Sequence, residues 1–146
     1  METAPDSALH ILLRLNRSRF ITPSDKAYYA LLMNHALEKN HIPIESDSLI
    51  NIATQYYDEK DPLHAGYAWF YMARYAGNFG DAYVQADALL KAQEFAKKTN
   101  NNKLLSQVYA EKSNLYATQG ELDSLIVYNK LSYRILKAST INRIVY

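Results

Sequence analysis

No cysteine occurs in the 146 residues, which removes disulfide frameworks, thiol nucleophiles and thiolate metal ligands together and leaves the compartment open. Glycine and proline number four each, too few for the many turns of an all-β sandwich. Neither sign of charge dominates. Sixteen Lys and Arg against fifteen Asp and Glu leave a formal charge of +1, so no global attraction to nucleic acid or anionic membrane is implied. Long apolar runs are missing too: nothing approaches the ~18 residues of a membrane-spanning helix. The opening METAPDSALHILLRL lacks the basic region and apolar run of a signal peptide. A signal or lipid anchor trimmed from a longer protein would leave a chain like this one, so localisation stays open.

What remains is enough for one domain, burying roughly 68–70% of its unfolded surface. Tyrosine is abundant at thirteen residues, many paired or at helical spacing, as in Tyr28-Tyr29, Tyr56-Tyr57 and Tyr67/Tyr71/Tyr75. The tetrapeptide DSLI occurs at Asp47–Ile50 and again at Asp123–Ile126, with looser copies at Asp87–Leu90 and Asp6–Leu9. Sliding the chain by 40 residues aligns Tyr29 with Trp69 and Tyr109, Ala36 with Ala76 and Tyr116, and Asn40 with Gly80 and Gly120. Within each copy, aromatic, aliphatic and small residues recur at i, i+3, i+4 and i+7, the stripe of an amphipathic helix, with Lys112 and Ser113 weakening the third copy.

This pattern predicts all-α structure: an α-solenoid of stacked antiparallel helical hairpins with a period of about 40. First helices are expected at about 24–39, 62–78 and 102–119, ended by Asn40, Gly80 and Gly120. Each DSLI-like segment is expected to open a second helix, with Ser46 or Asp47 available as a cap. The leading helix is placed at 5–17 and the units at about 24–60, 61–100 and 101–139. Residues 140–146 read as the start of another first helix. The whole of 1–146 is then one domain taken from a longer array.

The segments AWFYMARYAGNFGDAY and VYAEKSNLYATQGELDSLIVYNK resemble the tetratricopeptide repeat, with Trp or Tyr, then Leu or a small residue, then an aromatic, then Gly-Asp or Gly-Glu. The period of about 40 exceeds that family's usual ~34, and the closing proline is absent. The order PDSALHIL, YYALLMNHALEKN, DSLINIATQYY and a Trp/Tyr-rich helix is also similar to the repeat sensory regions of certain bacterial transcriptional regulators and lipoproteins. The resemblance implies a module that binds a protein or peptide along its concave groove. The groove positions it implies, flanking the column Tyr29/Trp69/Tyr109, include Asn34 and Glu38 in the first unit. They include Tyr67, Phe70, Tyr71, Arg74 and Asn78 in the second, and Gln107, Glu111 and Asn114 in the third. Ala27, Ala30, Leu31, Ala110 and Thr118 complete the set. Arg74 can fork onto a carboxylate or phosphate, and Asn34 and Asn114 can bond a peptide backbone. The competing reading is that Tyr67, Phe70 and Tyr71 only pack against the next unit.

Catalytic chemistry is not expected. His35 and Glu38 have the i, i+3 spacing of half a metal site, but no second such pair accompanies them. Asp58-Glu59-Lys60-Asp61 reads as a solvated helix end, and no phosphate loop, GxSxG or HExxH is present. No metal or cofactor is called for. The basic face Lys130, Arg134, Lys137 and Arg143 reads as ordinary solvated charge rather than a nucleic-acid surface. Apolar residues near both ends, Leu9, Leu12 and Leu13 at one and Ile135, Leu136, Ile141, Ile144, Val145 and Tyr146 at the other, suggest self-association through terminal helices. A purely structural, oligomer-forming role is the alternative to ligand binding.

Overall fold

The computed structural model describes residues 4–15 and 22–145. Among them are seven α-helices and no strand: α1 (Ala4–Arg14), α2 (Pro23–Lys39), α3 (Ser48–Tyr57), α4 (Pro62–Asn78), α5 (Ala82–Lys98), α6 (Asn102–Gln119) and α7 (Leu122–Val145). The expected all-α class holds. The expected end of the leading helix at 17 lies outside the described residues; within them α1 ends at Arg14.

Helix starts are fixed by short polar side chains. Thr22, Asp61, Asp81 and Asn101 each accept a backbone N–H three residues on, from Asp25, His64, Val84 and Leu104, at 3.0–3.2 Å. That satisfies donors the helix cannot. Pro23 and Pro62 occupy the first turn, where no N–H is needed. At α3 the cap comes from Ser46 Oγ, which accepts from Ser48 N at 3.2 Å, while Asp47 makes no side-chain capping bond.

Four helix ends are closed by a left-handed residue: His41 (φ 57°), Gly80 (φ 74°), Asn100 (φ 52°) and Gly120 (φ 74°). The two glycines stand where expected, whereas after α2 the left-handed residue is His41 rather than Asn40. No atom lies within 4 Å of a Cβ built at Gly120, so a side chain there meets strain but no clash. Gly120→Val is therefore expected to cost about 1–2 kcal/mol from backbone conformation alone. Urea denaturation checks this, and a loss of only a few tenths would mean the turn relaxes freely.

Two sequence expectations fail. Asp87 does not open a helix; α5 begins at Ala82, more than a turn earlier, because Asp81 caps it directly after Gly80. The links after Gly80 and Gly120 are thus equally short, and the long one runs from α2 to α3, where Pro43 interrupts helix and Ile44 is buried. Nor does a new helix open at Thr140. No glycine or proline breaks the chain after Leu122, so α7 continues to Val145, with Thr140 Oγ1 donating to the Leu136 carbonyl at 2.9 Å.

Each helix packs on the next in sequence, and α4 also touches both α2 and α6. The main core runs from α2 to α6 around Ile50, Leu89, Leu104 and Val108, with alanines of α4 and α5 letting backbones approach closely. A smaller cluster, Leu9, Leu12, Tyr29, Met33 and Ala36, joins α1 to α2. The α6–α7 pair adds hydroxyl bonds to its aromatic contacts: buried Ser132 donates to the Ser106 carbonyl at 2.9 Å, and Ser113 to the Leu125 carbonyl at 3.2 Å. Trp69 and Tyr109 serve packing. The Trp69 indole donates to Asp58 Oδ1 at 2.8 Å beneath the Lys91 ammonium, and Tyr109 packs against Tyr128. No helix among the described residues is long and apolar enough to cross a membrane.

A candidate ligand groove across three helices

Helices α2, α4 and α6 enclose a groove of about 710 Å³. At one end the Tyr28 ring meets His64 edge-on at 6.2 Å, while His64 stacks on Tyr57 at 5.0 Å. His64 Nδ1 is 2.5 Å from the Asp61 carboxylate, which the backbone N–H and imidazole of His64 hold below its usual range despite partial burial. Asp61 therefore both caps α4 and orients a groove side chain.

Midway along, His35 Nδ1 and the Tyr71 hydroxyl share a hydrogen bond. Burial, aided by the nearby Tyr67 and Glu38, pushes the Tyr71 phenol up. Desolvation, then the ammonium groups of Lys39 and Lys103, pulls His35 below its ordinary value, with Glu38 opposing. Both shifts put the proton on Tyr71, so the phenol donates to a neutral imidazole whose own proton sits on Nε2. NMR titration of the His35 ring is expected to give a pKa under 6.5, rising in Lys39→Gln and again in Lys103→Gln; an unshifted value in both variants would mean the lysines do not act on it.

At the far end Arg74 bridges two helices. Its Nη2 is 3.0 Å from Glu38 Oε1 and its Nη1 donates to Glu111 Oε1, to which Asn114 Nδ2 also donates at 3.2 Å. The neighbouring carboxylates raise the guanidinium pKa against the opposing effect of burial. Beyond this bridge lies a second cavity of about 460 Å³, lined by Asn78, Asn114 and Thr118 and sharing Arg74 and Glu111 with the first.

Nine of the fifteen expected groove residues, Leu31, Glu38, Tyr67, Phe70, Tyr71, Arg74, Gln107, Ala110 and Glu111, line the first cavity. Asn78 and Asn114 line the second. Asn34 does not reach either: it is 1% exposed and its amide donates to the Ala30 carbonyl at 2.7 Å, closing on its own helix. Ala27 and Ala30 are core residues. Arg74 departs from expectation in its chemistry, since Glu38 and Glu111 already hold the guanidinium expected to receive a ligand. Phe70 and Tyr71 combine both readings, being 6% and 4% exposed and packed in the core while one edge forms groove wall.

Lys39, His41, His64 and Lys103 were missed, along with Tyr28 and the role of His35. Helical periodicity alone carried no signal for them, because it does not fix the offset between touching residues. Contacts across these helices run at separations of 36 and 37, as in His35–Tyr71 and Arg74–Glu111, not at 40. Neighbouring helices thus meet about one turn out of step with sequence-equivalent positions. Among the described residues no three His, Asp or Glu side chains gather as metal ligands, so His35 and Glu38 remain without a third donor.

Comparison of the chain with protein-family models, curated proteins and solved structures finds no match.

Proposed function

We propose that this chain is a non-enzymatic module that binds a protein or peptide segment in the groove between α2, α4 and α6, in the manner of a tetratricopeptide-like α-solenoid. Contacts among α2, α4 and α6 support that architecture, as do their starts at Pro23, Pro62 and Asn102, separated by 39 and 40 residues. The observation that carries the functional reading is the groove itself: three helices contribute aromatic walls and polar ends to one cleft wide enough for side chains of an extended segment. Its chemistry suits recognition better than reaction. The Tyr71 hydroxyl that faces His35 is buried and engaged. By its resemblance the module is a sensory or scaffolding part of a larger bacterial protein.

Peptide-display selection against the chain, followed by NMR mapping, tests this. The expected result is a selected peptide that shifts the ring resonances of His35 and Tyr67; shifts confined to α7, or no binder from a diverse library, would count against the groove.

One observation favours self-association as a second reading. Leu122, Ile126, Tyr133 and Leu136 lie along one side of α7 and are 66%, 47%, 65% and 49% exposed, a stripe of the kind that helices cover by pairing. Ile135 is partly buried, and the side chains of Ile141, Ile144, Val145 and Tyr146, together with Arg143 of the basic face, lie outside the described residues. Sedimentation across a hundredfold concentration range separates the readings: a strict monomer removes the oligomeric role, and a dimer lost on Tyr133→Glu assigns it to α7.

A further inference from the structure

The charges lining the groove do not balance. Lys39, Arg74 and Lys103 supply three positive charges and Glu38 and Glu111 two negative ones, a surplus of 3 − 2 = +1 before any histidine is protonated. Both carboxylates are held by Arg74. Lys39, in the last turn of α2, and Lys103, in the first turn of α6, form no ion pair with any described residue, although salt bridges occur elsewhere at Asp61–His64 and Asp87–Lys91. Two ammonium groups from different helices thus face one cleft without a counter-charge, an arrangement an anion relieves.

The wall beside them lacks a second partner. Gln107 Oε1 is buried and accepts no hydrogen bond, and it lies one turn before Glu111 on the same helix. An unmet acceptor in the wall calls for an N–H donor. Tyr67, Phe70 and Tyr71 add apolar surface to the same cleft. A simple inorganic anion supplies charge but neither N–H donor nor apolar group, and a membrane headgroup cannot follow the cleft below its rim. An acidic polypeptide supplies all three.

We propose that the occupant of the groove is a polypeptide segment that sets an Asp or Glu side chain between Lys39 and Lys103, a backbone N–H toward Gln107, and an adjacent apolar side chain against Tyr67 and Phe70. This rests on the reading of the groove as a peptide site and specifies its chemistry. The carboxylate is a side chain, not a chain terminus, because the groove continues past the Arg74 bridge into the second cavity and so leaves room for the segment to run on. Carboxylate binding also reverses the electrostatic pull of the two lysines on His35, so the imidazole takes up a proton more readily in the complex.

The probe is a random library of N-acetylated, C-amidated peptides about ten residues long, sufficient to cross the cleft in extended form. Selected binders are expected to carry Asp or Glu beside an apolar residue. Exchanging that acid for its amide should weaken binding about tenfold on the native chain and have no effect on the double variant Lys39→Gln/Lys103→Gln. Both lysines are exposed, and an unchanged melting temperature shows that the double variant folds. Binders indifferent to the acid overturn the proposal while leaving the groove reading standing. Binders that need a free α-carboxylate overturn the side-chain assignment. Failure of every peptide, with or without capture of a single-stranded oligonucleotide instead, overturns the peptide-groove reading itself.

Discussion

Gly66→Val is expected to destabilise the fold by about 3 kcal/mol, the largest single-residue effect outside wholesale removal of core side chains. Gly66 lies in the second turn of α4, where α4, α5 and α6 converge. A Cβ there would stand 2.8 Å from Leu104 Cδ2 and 3.2 Å from Phe95 Cβ, both inside ordinary contact distance. Leu104 has nowhere to swing, being 1% exposed, and the two γ-carbons of valine add volume that a close-packed interior cannot take up. Alanine should cost less, because its helix propensity gains about 1 kcal/mol over glycine and offsets part of the clash. Gly77→Ala is the control: its Cβ meets only the flexible end of Gln85, so a change within about 0.5 kcal/mol is expected. Denaturant unfolding of the three variants reads these differences, and a Gly66→Val loss below about 1 kcal/mol would mean that the α4–α5–α6 junction yields easily. The consequence reaches the groove. Levering α4 away from α6 separates Arg74 from Glu111, so the same variant should lose ligand binding even where it remains folded.

The three long first helices were legible because the signals agreed. Apolar spacing of 3.6 and a left-handed terminator pointed to the same boundaries at α4 and α6, and the caps Asp61 and Asn101 seen in the structure agree with them. The second helices were harder, because DSLI looked like a repeated start although its Asp plays three different parts. Asp47 precedes α3 without capping it, Asp123 sits in the first turn of α7, and Asp87 lies inside α5, paired with Lys91 at 3.0 Å. The true start signal of α5 is the Gly80-Asp81 pair, and Gly120-Glu121 marks the equivalent end after α6. Similar four-residue strings thus carried less information than one capping side chain.

For the groove, sequence placed most of its walls but misjudged which groups stay available. Helical periodicity tells which side of a helix a residue occupies, whereas pairing depends on how far the neighbouring helix has slid. A slide of about one turn brings Arg74 to Glu38 and Glu111 instead of to Asn34 and Asn114, its equivalents at the 40-residue period. Lysines at helix ends escape detection for a different reason. Their stems are long and their heads are set by local charge, so Lys39 and Lys103 acquire meaning only once α2 and α6 are brought to the same cleft.

That slide makes Arg74→Met a sharp test. Methionine keeps much of the arginine's volume but leaves Glu38 and Glu111 facing each other with no cation between them. The Glu111 side chain is 10% exposed and that of Glu38 27%, so water can compensate only in part. Breaking a fully buried pair costs roughly 3–5 kcal/mol and an exposed one at most about 1. With Arg74 itself 34% exposed, a loss of about 2 kcal/mol at pH 7 is expected, discounted for solvent screening. The sign of its pH dependence follows from which group is left charged. Without the guanidinium, the native state disfavours ionised carboxylates relative to the unfolded chain, so the variant's deficit is present above the ordinary carboxyl range near pH 4.3 and fades as pH falls through it. Arg74→Met combined with Glu111→Gln should recover most of the loss at pH 7, since only one carboxylate then remains. Melting temperatures of the native chain and both variants at pH 7 and at about pH 4 decide the matter. A deficit that persists unchanged in acid, or that Glu111→Gln does not relieve, would show that Arg74 contributes by packing its stem against α4 and α6 and that the charge across the groove is incidental.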